Sequence, residues 1–220
     1  MDIGFIIQNK EILRFLFTLS IGLICFVIVL KTHRLFKISL HQGIRYFRNA
    51  FFFYGLAFIL RYLLGSVAII SIKEIVSPYL IKIIFEFFLI IAGFSLFYSL
   101  IWKKFGRKDR SSLFNTRFLI FYLIALIIVI LDYLWNTYLI MFISQAILFS
   151  YALFIAYSKS KENKFSKLYL KVILLSLFGW ILNLIASFFA WNQIMIIIVY
   201  IINLIIFLLF LYEVIKTTKK

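Results

Sequence analysis

Across 220 residues there is one proline, one cysteine, two histidines and only eight acidic side chains. Each scarcity closes off a class of function. The lone cysteine, Cys25, has no partner for an internal disulfide and makes no thiolate cage. His33 and His41 fall in a basic segment outside the long apolar runs, so paired haem ligation is excluded, and too few soft or anionic residues lie near them to hold zinc. The carboxylates are scattered, whereas two-metal phosphoryl chemistry needs them clustered. No His-Glu-x-x-His, phosphate-cradling glycine loop or dinucleotide turn occurs, and Gly65–Ser66 is not set in a nucleophile elbow. These absences point away from an enzyme, and away from any metal or cofactor.

What is abundant is grease. Apolar residues make up 65% of the chain and the mean hydropathy is +1.08, against about 45–50% apolar in a soluble domain. An aqueous globular fold and intrinsic disorder are both excluded. Seven apolar runs follow one another: Leu13–Leu30, Ala50–Ile72, Tyr79–Trp102, Phe118–Leu134, Tyr138–Tyr157, Val172–Ala190 and Ile194–Leu211. Each is close to the roughly 20 residues that a helix needs to cross the hydrocarbon. Backbone polar groups in lipid must be satisfied within the segment, and the period-2 alternation of a membrane barrel is missing, so each run is expected to be a helix. The expected fold class is an all-α integral membrane protein: one seven-transmembrane-helix bundle over residues 1–220, with no room for a soluble catalytic or DNA-binding domain.

Charge then sets the orientation. The formal net charge is +16. In a soluble chain that would suggest nucleic acid; here it follows the bias of cytoplasmic loops toward Lys and Arg. Of the 24 basic residues, 19 fall in the segments 31–49, 103–117 and 158–171 and in the tail. Only Lys10, Arg14, Lys73 and Lys82 fall on the other side. The expectation is an N-terminus outside, a C-terminus in the cytoplasm, and residence in the plasma or cytoplasmic membrane. The outer connections are short, which makes helices 2–3, 4–5 and 6–7 antiparallel neighbours, while the inner connections are long basic loops. Trp135 and Trp191 mark the outer rim and Trp102 the inner one. Arg45, Arg48, Lys103, Lys104 and Arg107 are placed to meet anionic lipid headgroups.

Ionisable groups at membrane depth are where function is sought. Arg61 lies about 16 Å along helix 2 from its inner end, and Glu86 about 10 Å along helix 3 from its outer end, at about 1.5 Å per residue. These depths predict an Arg61–Glu86 ion pair across the hairpin, serving either a polar pocket that binds a ligand or moves a proton, or helix register. Gln145, Asn183 and Asn203 approach the middle of helices 5, 6 and 7. Ser176, Trp180, Asn183 and Ser187 form one stripe of helix 6, Gln193, Tyr200 and Asn203 a similar stripe of helix 7, and Gly93 permits close approach on the charged face of helix 3. Arg61, Glu86, Gln145, Asn183 and Asn203 are the candidate ligand-binding residues, with interhelical hydrogen bonding as the alternative role for the amides. The 28 phenylalanines and 13 tyrosines are read as packing and lipid-facing material.

Lys31–Thr32, Ile38–Ser39 and Arg61–Tyr62–Leu63 resemble the first-loop and helix-2 region of the KDEL-receptor family, over under a fifth of the chain. The superfamily to which that family belongs is built as three helices, one, and three. Its Pro-Gln signature is absent here, because the single proline, Pro78, precedes helix 3, and no site residue is carried over. Two functions follow from the residues. One is a sensor or receptor-like module with a polar intramembrane pocket, its basic inner loops meeting a cytoplasmic output protein or a second copy of the chain. The other is a small-solute transporter with a midplane site; a structural or assembly subunit is a third option. The expected partner throughout is the lipid bilayer, with no nucleic acid.

Overall fold

The computed structural model describes residues 10–70, 78–102, 116–159, 164–188 and 193–218. They form seven α-helices: α1 Lys10–Ser39, α2 Gln42–Ile70, α3 Pro78–Ile101, α4 Thr116–Leu134, α5 Leu139–Lys159, α6 Lys164–Phe188 and α7 Gln193–Thr218. Among the described residues there is no strand. Six of the helices are long and apolar enough to cross a membrane, and the apolar stretch of α4, Phe118–Leu134, is shorter. Large apolar side chains such as Leu23, Phe26, Ile147 and Phe154 are more than half exposed on the outside of the bundle. Water would penalise such a surface and lipid accepts it. The protein is an integral membrane helical bundle.

Ring contacts fix how the helices run. Phe17 meets Phe58, Gly22 of α1 lies against Ile59 and Gly55 of α2 against Cys25, so α1 and α2 are antiparallel. Phe58 meets Phe85 near one end of the next pair, and Tyr46 meets Tyr98 near the other. The same reading along α3 and α4 goes from Tyr79–Tyr133 to Tyr98–Phe118, so α4 returns antiparallel along nearly the whole of α3. Helices α3 and α5 are parallel neighbours: Lys82 lies over Tyr138, and further along both helices Gly93 faces Gln145. Helices α1, α2, α3, α5, α6 and α7 close a ring through the α1–α7 contact, while α4 sits outside it against α3 and α5.

Two expectations need correction. Residues 31–49 are not a long basic loop. Helix α1 continues to Ser39 and α2 begins at Gln42, leaving a two-residue reversal in which Leu40 takes φ 50°. The Leu40 N–H donates to the Phe36 carbonyl, and the Ile44 N–H to that of His41. Helix α6 likewise starts before its apolar run and α7 runs past Leu211 to Thr218. All these extensions lie at the basic end. An apolar count ends where the hydrocarbon ends, but Lys and Arg are good helix formers and carry the helix on into water. As a result His33 is a helical residue: its Nδ1 accepts a 2.8 Å hydrogen bond from Arg48 of α2, joining the two helices next to their reversal.

Candidate functional site

A cavity of about 240 Å³ lies inside the ring, lined from α1, α2, α3, α5, α6 and α7 and by Tyr138 of the α4–α5 turn. Its walls are aromatic, with Tyr54, Phe58, Phe85, Trp180, Tyr200 and Phe207 prominent. These rings brace one another: Phe17 stacks on Tyr200 with centroids 4.7 Å apart, and Phe58 meets Phe85 edge-on at 5.5 Å. Below the cavity the basic half of the bundle is filled by Phe47, Phe51, Phe210 and Tyr169, all buried. A second cavity of about 390 Å³ adjoins the first between the far ends of α5, α6 and α7. The two share Tyr138, Phe142, Asn183 and Tyr200.

Three of the five candidate residues converge on the first cavity: Arg61, Asn183 and Asn203. The two asparagines bond reciprocally across α6 and α7, each Nδ2 donating to the other's Oδ1 at 3.1 and 3.2 Å. Asn183 also donates to the Gly179 carbonyl at 2.7 Å. Arg61 stacks its guanidinium 4.4 Å from the centroid of Phe85. It reaches the cavity with no carboxylate in ion-pair range among the described residues.

The predicted Arg61–Glu86 pair therefore does not form, although the depths were right. Arg61 stands at the level of Phe85, one residue before Glu86. Successive helical residues are about 100° apart, and it is Phe85 that faces α2. Glu86 is turned toward α4 and α5, where it is completely buried, with its nearest cation Lys82 at 3.9 Å. Gln145 is also buried outside the cavity, its amide lying against Gly93 of α3. An added Cβ at Gly93 would run into Gln145 Oε1, so the close approach read from the sequence is realised there.

Asp132 organises this end of the bundle. Its Oδ1 accepts from Thr137 Oγ1 and the Ile140 N–H, both at 3.1 Å, and its Oδ2 from the Met141 N–H at 2.7 Å. It thus caps α5, whose first N–H groups have no partner within the helix. The polar stripe on α6 does face inward: Ser176, Trp180 and Asn183 line the first cavity, and Ser187 lines the second. The aromatic walls were missed. Phenylalanine looks the same to a sequence reading whether it meets lipid or a cavity, and only Trp180 and Tyr200, lying on polar stripes, carried a signal. Of the residues expected at headgroups, Arg45 and Arg48 lie on the first turns of α2, with Arg48 also bonded to Asn49. Lys103, Lys104 and Arg107 lie outside the described residues.

A protein of Archaeoglobus fulgidus, described as an uncharacterized protein, is 31% identical over 186 residues, covering 79% of this chain and 78% of its own length. The chain belongs to one family with it. No family model matches the chain and no solved structure does, so the KDEL-receptor likeness stays one of a few residues.

Proposed function

We propose that this protein is a receptor-like membrane module that binds a small organic anion with an apolar, aromatic body in the cavity at Arg61. The observation that carries the reading is an arginine in an aromatic-walled cavity with no acidic partner among the described residues. Arg61 is exposed beside the cavity, and a carboxylate from outside supplies its counter-charge in bidentate geometry. The aromatic walls take the body of the ligand, and the Asn183–Asn203 pair offers polar contacts at its flank. The cavity exceeds the 150 Å³ that houses benzene in an engineered core, which sets the ligand at about the size of 3-phenylpropionate.

Seven crossings, an exterior N-terminus and the cytoplasmic membrane are part of the same proposal. Their support is the full-length antiparallel run of α4 along α3 and the collection of basic residues at one end. The layer of buried Phe47, Phe51, Phe210 and Tyr169 beneath the cavity favours reception over passage. The helix ends carrying Arg34, Lys37, Lys167 and Lys216 are where a cytoplasmic output partner would dock. The test is saturation binding of tritiated 3-phenylpropionate to the purified protein, with 3-phenylpropionamide as the uncharged isostere. Saturable binding that the amide fails to displace, weakened in Arg61→Gln, supports the reading. The charge-assisted contact is worth about 1.5–3 kcal/mol, or roughly 10- to 150-fold in Kd. Equal affinity for acid and amide refutes it. Facilitated flux of the anion across proteoliposomes would replace reception with transport.

A further inference from the structure

Glu86 lies beside the cavity and outside its lining, and nothing in anion binding at Arg61 uses it directly. Its carboxyl group is wholly buried between α3, α4 and α5. Neither oxygen has a hydrogen-bond partner among the described residues. Lys82, one turn away on the same helix, is 3.9 Å from it, beyond hydrogen-bond reach. Lys82 is engaged elsewhere: its Nζ donates to the Asp132 carbonyl at 3.3 Å and sits 4.5 Å from the centre of the Tyr138 ring. The groups around Glu86 are Lys82 from α3, Asp132 from α4 and Tyr138 from the turn, and Tyr138 in turn feels Arg61 of α2 and Tyr200 of α7. Helix α5 carries no charged residue except Lys159 at its far end. An ionised carboxylate so placed lacks the donors that offset its desolvation, whereas the acid form carries no charge to desolvate.

Tyr138 joins this cluster to the ligand site. It holds Lys82 on its ring and is at the same time a wall of the cavity that Arg61 enters. Arg61 has no carboxylate in ion-pair range, yet summed over the cluster Arg61 and Lys82 carry as much charge as Glu86 and Asp132 when all four are ionised. An entering anion leaves one uncompensated negative charge in a poorly screened setting.

We infer that Glu86 is a proton-exchange site that takes up one proton as the anion enters and releases it as the anion leaves. The only bond made or broken is the O–H on Glu86; the anion enters unchanged, and site plus ligand return to neutrality. The proton site stands on the geometry of Glu86, and its coupling to occupancy rests on the proposed anion reading.

The experiment is labelling of the full-length protein in detergent with dicyclohexylcarbodiimide, followed by peptide mass spectrometry. Only the acid form reacts: its proton moves to a carbodiimide nitrogen as its oxygen adds to the central carbon, and an acyl shift to nitrogen fixes the adduct. The expected result is one adduct on the Glu86 peptide, falling as pH rises. At the pH of half-maximal labelling, 3-phenylpropionate should increase it. No Glu86 adduct at any pH, or one indifferent to pH, overturns the exchange site. A pH-dependent adduct unmoved by 3-phenylpropionate that demonstrably binds overturns the coupling. If the anion does not bind while labelling still follows pH, the anion reading and the coupling fall together and the proton site stands. The wild-type protein answers all of these. Glu86→Gln, where it folds, should lose the adduct.

Discussion

Asp132→Ala is the perturbation whose magnitude the structure defines best. Asp132 is fully buried and its carboxylate accepts three hydrogen bonds, two of them from the first-turn N–H groups of α5. Alanine leaves the Ile140 and Met141 N–H groups without an acceptor. Loss of a helix cap costs about 0.5–2 kcal/mol where water can substitute, and a buried donor left unpaired costs about 1–3 kcal/mol. Met141 is buried and Ile140 partly so, which sets the total near 2–3 kcal/mol, or roughly 30- to 150-fold in the unfolding equilibrium. Asp132→Asn retains one acceptor oxygen and should lose about half as much. The assay is SDS-titrated unfolding in mixed micelles, read together with amide exchange. The Ile140 and Met141 amides should exchange faster, while those in the middle of α7 stay protected. An Ala variant within about 0.5 kcal/mol of wild type, or exchange accelerated equally in α7, would refute the capping role.

Other outcomes follow from the same contacts. Gly93→Ala should destabilise by about 1–3 kcal/mol through overpacking against Gln145, and adding Gln145→Ala should recover most of that loss. Asn183→Ala and Asn203→Ala should each cost about 0.6 kcal/mol, and the double variant should cost less than the sum because they break the same pair. Lys171→Met should change stability by less than about 1 kcal/mol, since its 2.7 Å pair with Glu213 is half exposed on the lysine side. A Lys171→Met loss well above that value would mean the pair is shielded at the basic end.

The sequence made the helices legible, and the structure shows why their ends and faces were not. Hydrophobic runs locate spans because lipid forces every backbone group into a helix. They say nothing of where a helix stops in water, so the apolar count alone shows a long loop where the α1–α2 reversal at Leu40–His41 is only two residues. Depth was equally legible: Arg61 does reach the level of Phe85–Glu86. Rotation was not, because a single residue step separates the face toward α2 from the face toward α5, and no periodic signal marks a lone glutamate. The stripe of Ser176, Trp180, Asn183 and Ser187 carried its own rotational information through its spacing, and all four do line cavities. Asp132 escaped notice as a cap because Thr137 and the α5 N–H groups come to it only after the turn closes.

Occupancy of the aromatic cavity can be read directly from Trp180, which lines it. In a variant with Trp102, Trp135 and Trp191 changed to phenylalanine, titration with 3-(4-bromophenyl)propionate should quench the remaining indole to a plateau, and unbrominated acid should restore the emission. Quenching that rises in proportion to the micellar concentration of the bromo acid with no plateau, or none at all, would contradict a bound anion in that cavity.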